Sequence, residues 1–303
     1  MRLLGVTFLF FVSVCAKDYQ FPVVLPPFQD TDVKPDGTKW GSCMFYMEGL
    51  IVNVFATDKT KEPSAGSALI GTNTTDNKYT FNDDYVQCIK NGTTGSGDTF
   101  VPQNFSFTLD LSVGKDGGVA KSLDGSKTLF SITDKVLLKL NFATLVSYGW
   151  TLQSVELPNG LTVKGSGDWL GKDVNVPAGT KTNSSLEYMG FGTYGSYNFG
   201  CSRTKTIAFL VDDKSADYHV GIQFANIQVQ PANIFVGEDK QARFTYPTYD
   251  CVGTFSVGSL MGIVIALVLI AVLMFGYLML NSVNTVDRFD DPKQKQLIIN
   301  AKE

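Results

Sequence analysis

Histidine is almost absent from this 303-residue chain, where His219 stands alone. Most acid–base, nucleophilic and zinc chemistry draws on imidazole, so its scarcity narrows the options at once. A serine triad would have to recruit His219, and no serine sits in a G-x-S-x-G elbow. His219 itself falls in a strand-like Tyr218-His-Val220 run and reads as an ordinary strand-face residue, ahead of a general base or a pH sensor. None of the five cysteines forms a C-x-x-C pair, which removes the usual zinc frameworks. Gly171-Lys172 is followed by Asp173 and lacks the upstream glycine of a phosphate loop. Arginine is limited to Arg2, Arg203, Arg243 and Arg288, and no basic stripe exists, which argues against nucleic acid as a partner. The neighbouring carboxylates Asp83-Asp84, Asp212-Asp213 and Glu238-Asp239 would point to opposite sides of a strand, so they read as solvated positions rather than as a calcium or acid–base site. Neither a catalytic centre nor a cofactor or metal site is expected.

The most informative absence is of charge. No Asp, Glu, Lys, Arg or His occurs between Asp250 and Asp287, and Val257 to Leu280 is a run of 24 residues, 14 of them Leu, Ile, Val or Phe. As a helix that run is about 36 Å long, against a hydrocarbon core of about 30 Å. Its insertion is favoured by roughly 5 kcal/mol, and it shows no polar face of the kind a soluble helix keeps. A transmembrane helix is therefore expected over 255–282. Within it Gly258, Gly262 and Ala266 recur every four residues and make one smooth face, the kind that lets helices approach closely in lipid. Without a carboxylate, histidine or basic residue inside, the helix by itself offers no proton path.

The N-terminus has the parts of a secretory signal peptide, expected over residues 1–16: Arg2, an apolar Leu3–Val14 stretch, then Val14-Cys15-Ala16 before Lys17. That orientation makes the stretch up to Asp250 lumenal and residues 283–303 a cytosolic tail. Cys43, Cys88, Cys201 and Cys251 then read as two disulfides in an oxidising compartment, with three connectivities open. Pairing in chain order would close two loops of similar length, each worth about 4 kcal/mol in the chain-entropy picture. Sequons at Asn73, Asn91, Asn104 and Asn183 all precede the span, as candidate glycosylation sites should.

Between these ends the pattern is β. Phe105, Phe107, Leu109, Leu111 and Val113 alternate with polar residues, and Val220-Gly-Ile222-Gln-Phe224 and Ile227-Gln-Val229 alternate likewise. Apolar runs at Met44–Phe55, Leu129–Phe142, Thr151–Leu157 and Thr206–Val211 fit further strands, separated by turn-rich segments such as Gly114 to Gly118 and Pro158-Asn-Gly160. An all-β lumenal domain, a sandwich or prism, is expected over 41–251. Residues 17–40, with Pro22, Pro26, Pro27 and Pro35, read as an extended lead-in.

Immediately after the span, Val286-Asp287-Arg288-Phe289-Asp290-Asp291 closely resembles the D-R-F-D-D signature of the V-type ATPase accessory glycoprotein family. The Trp150 strand, Tyr197-Asn-Phe-Gly-Cys201, Phe224-Ala-Asn-Ile-Gln-Val229, Phe244-Thr-Tyr246 and Asp250-Cys251 look similar to that family too. The resemblance implies a lumenal β-prism like that of lysosome-associated membrane glycoproteins and a final disulfide Cys201–Cys251, which would leave Cys43 with Cys88. It implies a single-pass protein of acidic endomembranes, with the lipid bilayer around its span. That span would associate with the pump's membrane sector near the rotor ring, in assembly, sorting or regulation. Gly258, Gly262, Ala266 and the Asp287–Asp291 motif would be its partner-binding residues. Larger animal members carry an extra N-terminal domain released at a basic furin-type site; no R-x-x-R site occurs here, so the chain looks like a short form. The competing expectation is a free-standing lysosomal or cell-surface glycoprotein built on the same domain.

Overall fold

Apolar residues spaced two apart reach the same side of an extended chain, and here they set the sheets. The computed structural model describes residues 16–30, 33, 42–58, 63–89, 103–115, 117–133, 135–144, 149–167, 169–182, 190–194, 197–212, 217–245, 247–251 and 257–283. The N-terminal stretch 1–15 and the tail from 284 onward, including Asp287 to Asp291, lie outside them, as do Asn91 and Asn183. The described chain forms two units, residues 1–251 and 252–303.

In the first unit, the strand Asn104–Ser112 buries Phe105, Phe107, Leu109 and Leu111 and turns Asn104 to solvent. It pairs with Val136–Thr144, which pairs in turn with Gly149–Leu157. Lys17–Gln20, Lys78–Phe81, Val86–Gln87, Thr180–Thr182 and Gly192–Tyr194 complete an eight-stranded sheet. A second sheet of seven strands is built on Met44–Ala56 and Tyr218–Gln230, each 13 residues long. Val23–Leu25, Ala65–Gly71, Asn198–Arg203, Ile207–Phe209 and Thr248–Asp250 join it. Its outermost strand, Thr248–Asp250, runs parallel to Asn198–Gly200, whereas its other pairings are antiparallel. Four short strands, Val119–Lys121, Thr128–Ser131, Leu161–Gly165 and Val174–Val176, make the third sheet. A separate hairpin pairs Phe235–Val236 with Ala242–Arg243.

One continuous apolar core serves all three sheets, the layout of a prism rather than of a two-sheet sandwich. Aromatic rings carry much of it. Phe105 stacks on Phe142 at 4.8 Å between ring centres and meets Trp150 edge-on at 5.6 Å. Phe191 bridges from Phe142 (5.8 Å) to Phe199 (4.6 Å) and Phe224 (6.3 Å), joining the two large sheets. Trp169 connects the third sheet to the second, lying between Phe130 and Tyr218 and donating its indole N–H to the carbonyl of Pro63 at 2.6 Å.

Three features depart from simple alternation. Within the segment expected as an extended lead-in, Lys17–Gln20 enters one large sheet and Val23–Leu25 the other, with Val23 and Leu25 fully in the core. The apolar run 129–142 divides between two sheets, because Ile132 donates to Gly118 rather than continuing the pairing of Val136–Thr144. The alternations at 220–224 and 227–229 belong to one strand that changes phase. Phe224 and Ile227 both face the core, and between them Asn226 takes a left-handed backbone (φ 47°). A short polar side chain tolerates that conformation. The partner strand takes the same step between Met47 and Leu50, and Gly71 packs so tightly there that a Cβ would lie 2.4 Å from the carbonyl oxygen of Glu48.

The second unit contains the helix α1, Val257–Ser282, with every described side chain exposed from Gly258 to Val283. A helix apolar on every side has no soluble solution to its own burial, and its mean hydropathy of 3.0 over the best window suits a membrane span.

Candidate functional site

The α1 surface is the first candidate. Leu, Ile and Val project around the whole circumference, and polar side chains lie toward its two ends: Ser259 in the first turn, and at the close Asn281 Nδ2 donates to the Tyr277 carbonyl (3.1 Å) and Ser282 Oγ to that of Met279 (2.8 Å). Gly262 has open space where a Cβ would be, with nothing within 4 Å. Gly258, Gly262 and Ala266 are placed by 3.6-residue geometry along one side, since a four-residue step turns only about 40° beyond a full circle.

Just before this helix the chain is held covalently. Cys201 bonds to Cys251 with a Cα separation of 5.1 Å, and Cys251 N–H donates to the Gly200 carbonyl at 3.1 Å. Nearby Asn198 is completely buried, with its amide shared between the Thr245 carbonyl and the side chain of Gln228. The second disulfide, Cys43–Cys88 (Cα separation 5.4 Å), ties the start of Met44–Ala56 to the segment after Val86–Gln87. Both separations are ordinary for disulfides.

The remaining sequence candidates scatter. His219 is exposed on its strand opposite Phe55. Asp83 and Asp84 lie in a 3-10 turn, and Asp239 pairs with Arg243 at 2.6 Å. Among the described residues no three His, Cys, Asp or Glu side chains converge as metal ligands would. Of the described sequon asparagines, Asn73 is exposed in the turn after Ala65–Gly71 and Asn104 is exposed at the head of its strand.

Two clefts meet at Tyr46, a residue that no sequence motif marks. One, about 660 Å³, is lined by Val24, Phe28, Met44, Tyr46, Arg243 and Phe244. The other, about 470 Å³, runs between Gly200–Ser202, Asn226–Gln228 and Thr248. Tyr46 Oη donates to Glu48 Oε1 (2.8 Å), and Asn226 Nδ2 donates to Glu48 Oε2 (2.6 Å), so the left-handed residue is clasped to the neighbouring strand. Burial pushes the Tyr46 phenol up to about 12, with the Glu48 carboxylate adding to the shift. A phenol of that kind donates a hydrogen bond and does not act as a base near neutrality.

Tyr79 is the more deeply placed phenol. It donates to the Val24 carbonyl (3.2 Å), stacks on Tyr19, and is pushed to about 12 by burial, with the Val24 N–H pulling weakly the other way. A raised folded-state value favours the neutral phenol. Its contribution is complete below about pH 10 and is lost as pH rises through about 12. Tyr79→Phe is expected to flatten the alkaline loss of stability by about 2 kcal/mol between pH 9 and pH 11.5. Denaturant melts of the two proteins at pH 9 and pH 11.5 read the difference; parallel losses would show that Tyr79 is not the group responsible.

A β domain stapled by two disulfides and followed, among the described residues, by one charge-free helix long and apolar enough to cross a membrane defines a membrane-anchored protein. Residues 253–291 match the family described as the V0 complex accessory subunit Ac45/VOA1 transmembrane domain. Over 290 residues, 94% of this chain, the sequence is 34% identical to V-type proton ATPase subunit S1 of Caenorhabditis elegans. Over 119 residues, 39% of the chain, it is 29% identical to the Drosophila melanogaster protein of the same name. The chain is thus similar along most of its length to a V-type ATPase accessory subunit, and its membrane segment matches that family's transmembrane domain. Its matched region spans 60% of the worm relative and 30% of the fly relative.

Proposed function

We propose that this chain acts as a non-catalytic accessory subunit of the membrane sector of a V-type proton ATPase. The observation that carries the reading is α1 itself: it coincides with the family's transmembrane domain, is apolar on all sides and holds no group that could relay a proton. It serves as a structural partner of the pump, packing through Gly258, Gly262 and Ala266 near the rotor ring, with Asp287 to Asp291 contributing on the far side of the bilayer. The β domain sits in the lumen of an acidic compartment, and the chain supports assembly, sorting or regulation of the pump and hence acidification. Disulfides and sequons confined to the same side of the span agree with that orientation.

The test is a pull-down of the tagged full chain in a mild detergent that preserves the pump. Ring and membrane-sector subunits are expected to co-purify. Their absence, with the pump intact in the same extract, would overturn the subunit reading and leave a free-standing membrane glycoprotein.

A further inference from the structure

The outer face of the eight-stranded sheet carries an array that partner binding through the helix does not use. Gln87, Ser106, Asn141 and Ser154 stand opposite one another on four neighbouring strands. Ser106 Oγ donates to Gln87 Oε1 at 3.3 Å, and Asn141 Nδ2 donates to Ser154 Oγ at 3.0 Å. The two serines point away from the core, yet they are only 7% and 3% exposed. Together these groups floor a cleft of about 340 Å³, bordered by the Lys181–Glu156 ion pair (2.9 Å).

Asn104 lines the same cleft. It shares a strand face with Ser106, two residues on, at a distance of roughly 7 Å along the chain. Phe105 between them turns into the core, so the asparagine and the serine of one sequon both look out over the cleft.

Neutral amides and hydroxyls offer donors and acceptors together, which is what sugar hydroxyls and N-acetyl groups need. An apolar surface laid over the same row would leave its outward polar groups without partners. A ligand attached at Asn104 is also present at high effective concentration, so weak contacts suffice to seat it.

We propose that Asn104 carries an N-linked glycan whose first sugars lie in this cleft, on the Gln87–Ser106–Asn141–Ser154 row. The inference rests on the lumenal placement proposed above. Its consequence is that this face of the domain is covered by the chain's own carbohydrate.

The experiment is endoglycosidase treatment of the full-length chain in detergent, native and denatured, with occupancy and cleavage followed at Asn104 and Asn73 by mass spectrometry. Two seated hydrogen bonds of about 0.7 kcal/mol each amount to roughly a tenfold effect. Cleavage at Asn104 is therefore expected to be about tenfold slower in the native protein than at exposed Asn73, with the two rates converging after denaturation. Asn141→Ala, which leaves the sequon intact, is expected to bring the native Asn104 rate toward that of Asn73. Equal native rates at the two sites, or a glycan on Asn73 alone, would overturn the seated glycan while leaving the lumenal placement standing. Carbohydrate at no sequon would overturn both. Should Asn141→Ala fail to fold, the native comparison in the unaltered chain still decides.

Discussion

If the chain acts as the proposed pump subunit, leucine at Gly258 and Gly262 together is expected to abolish its recovery with the pump in mild detergent while leaving the β domain intact. Lipid supplies no hydrophobic drive between helices, so association depends on how closely two backbones approach. Two leucines hold a neighbouring helix away over more than one turn. Interhelical contacts in membranes run at about 0.6–2 kcal/mol, so losing the close approach lowers recovery by about 3- to 30-fold. At Gly262 an added Cβ has nothing within 4 Å, so the substitution begins in open space. The control is Ala271→Leu, which at about 100° per residue lies on the opposite side of α1 from Gly262 and should leave recovery unchanged. Recovery that survives both glycine changes would move the contact to the β domain or to the segment around Asp287–Asp291.

The second large effect concerns Cys201–Cys251. Replacing both cysteines with serine is expected to cost about 2–5 kcal/mol, the usual loss for a native bridge in a secreted domain. For a domain of this size each kcal/mol moves Tm by about 2–4 °C, so a drop of about 4–20 °C is expected. Calorimetry of the purified chain reads it directly. A shift within 1–2 °C of zero would show that the hydrogen bonds of Asn198 and Thr248–Asp250 hold this edge unaided.

Legibility from sequence tracked how local each signal was. The Phe105–Val113 alternation announced a strand because one face carries apolar residues and the other polar ones over its whole length. The long strand Tyr218–Gln230 was visible only as two pieces, since Ala225-Asn226 interrupts the period and nothing local says the chain continues through a left-handed residue. Val23–Leu25 was concealed by its prolines: Pro22 and Pro26 bracket an apolar triplet that earns strand character only by pairing with Phe45–Met47. Disulfide pairing was open to three connectivities from composition, and the resemblance to a family, rather than the spacing, implied Cys201–Cys251. The span was legible throughout because the lack of charge is itself the signal. The clefts at Tyr46 and above Ser106 could not be read at all, because their walls come from segments far apart in the chain and meet only through strand register.

The bridge from Cys251 to Cys201 has a mechanical side. Any pull on the membrane helix reaches the β domain through residue 251, and Thr248–Asp250 is a three-residue edge strand that peeling would detach easily. The covalent bond passes that tension to Cys201, in a strand flanked by neighbours on both sides in the seven-stranded sheet. Force entering at residue 251 is thereby spread across a broad array of backbone hydrogen bonds loaded together, instead of breaking them one at a time from a frayed end.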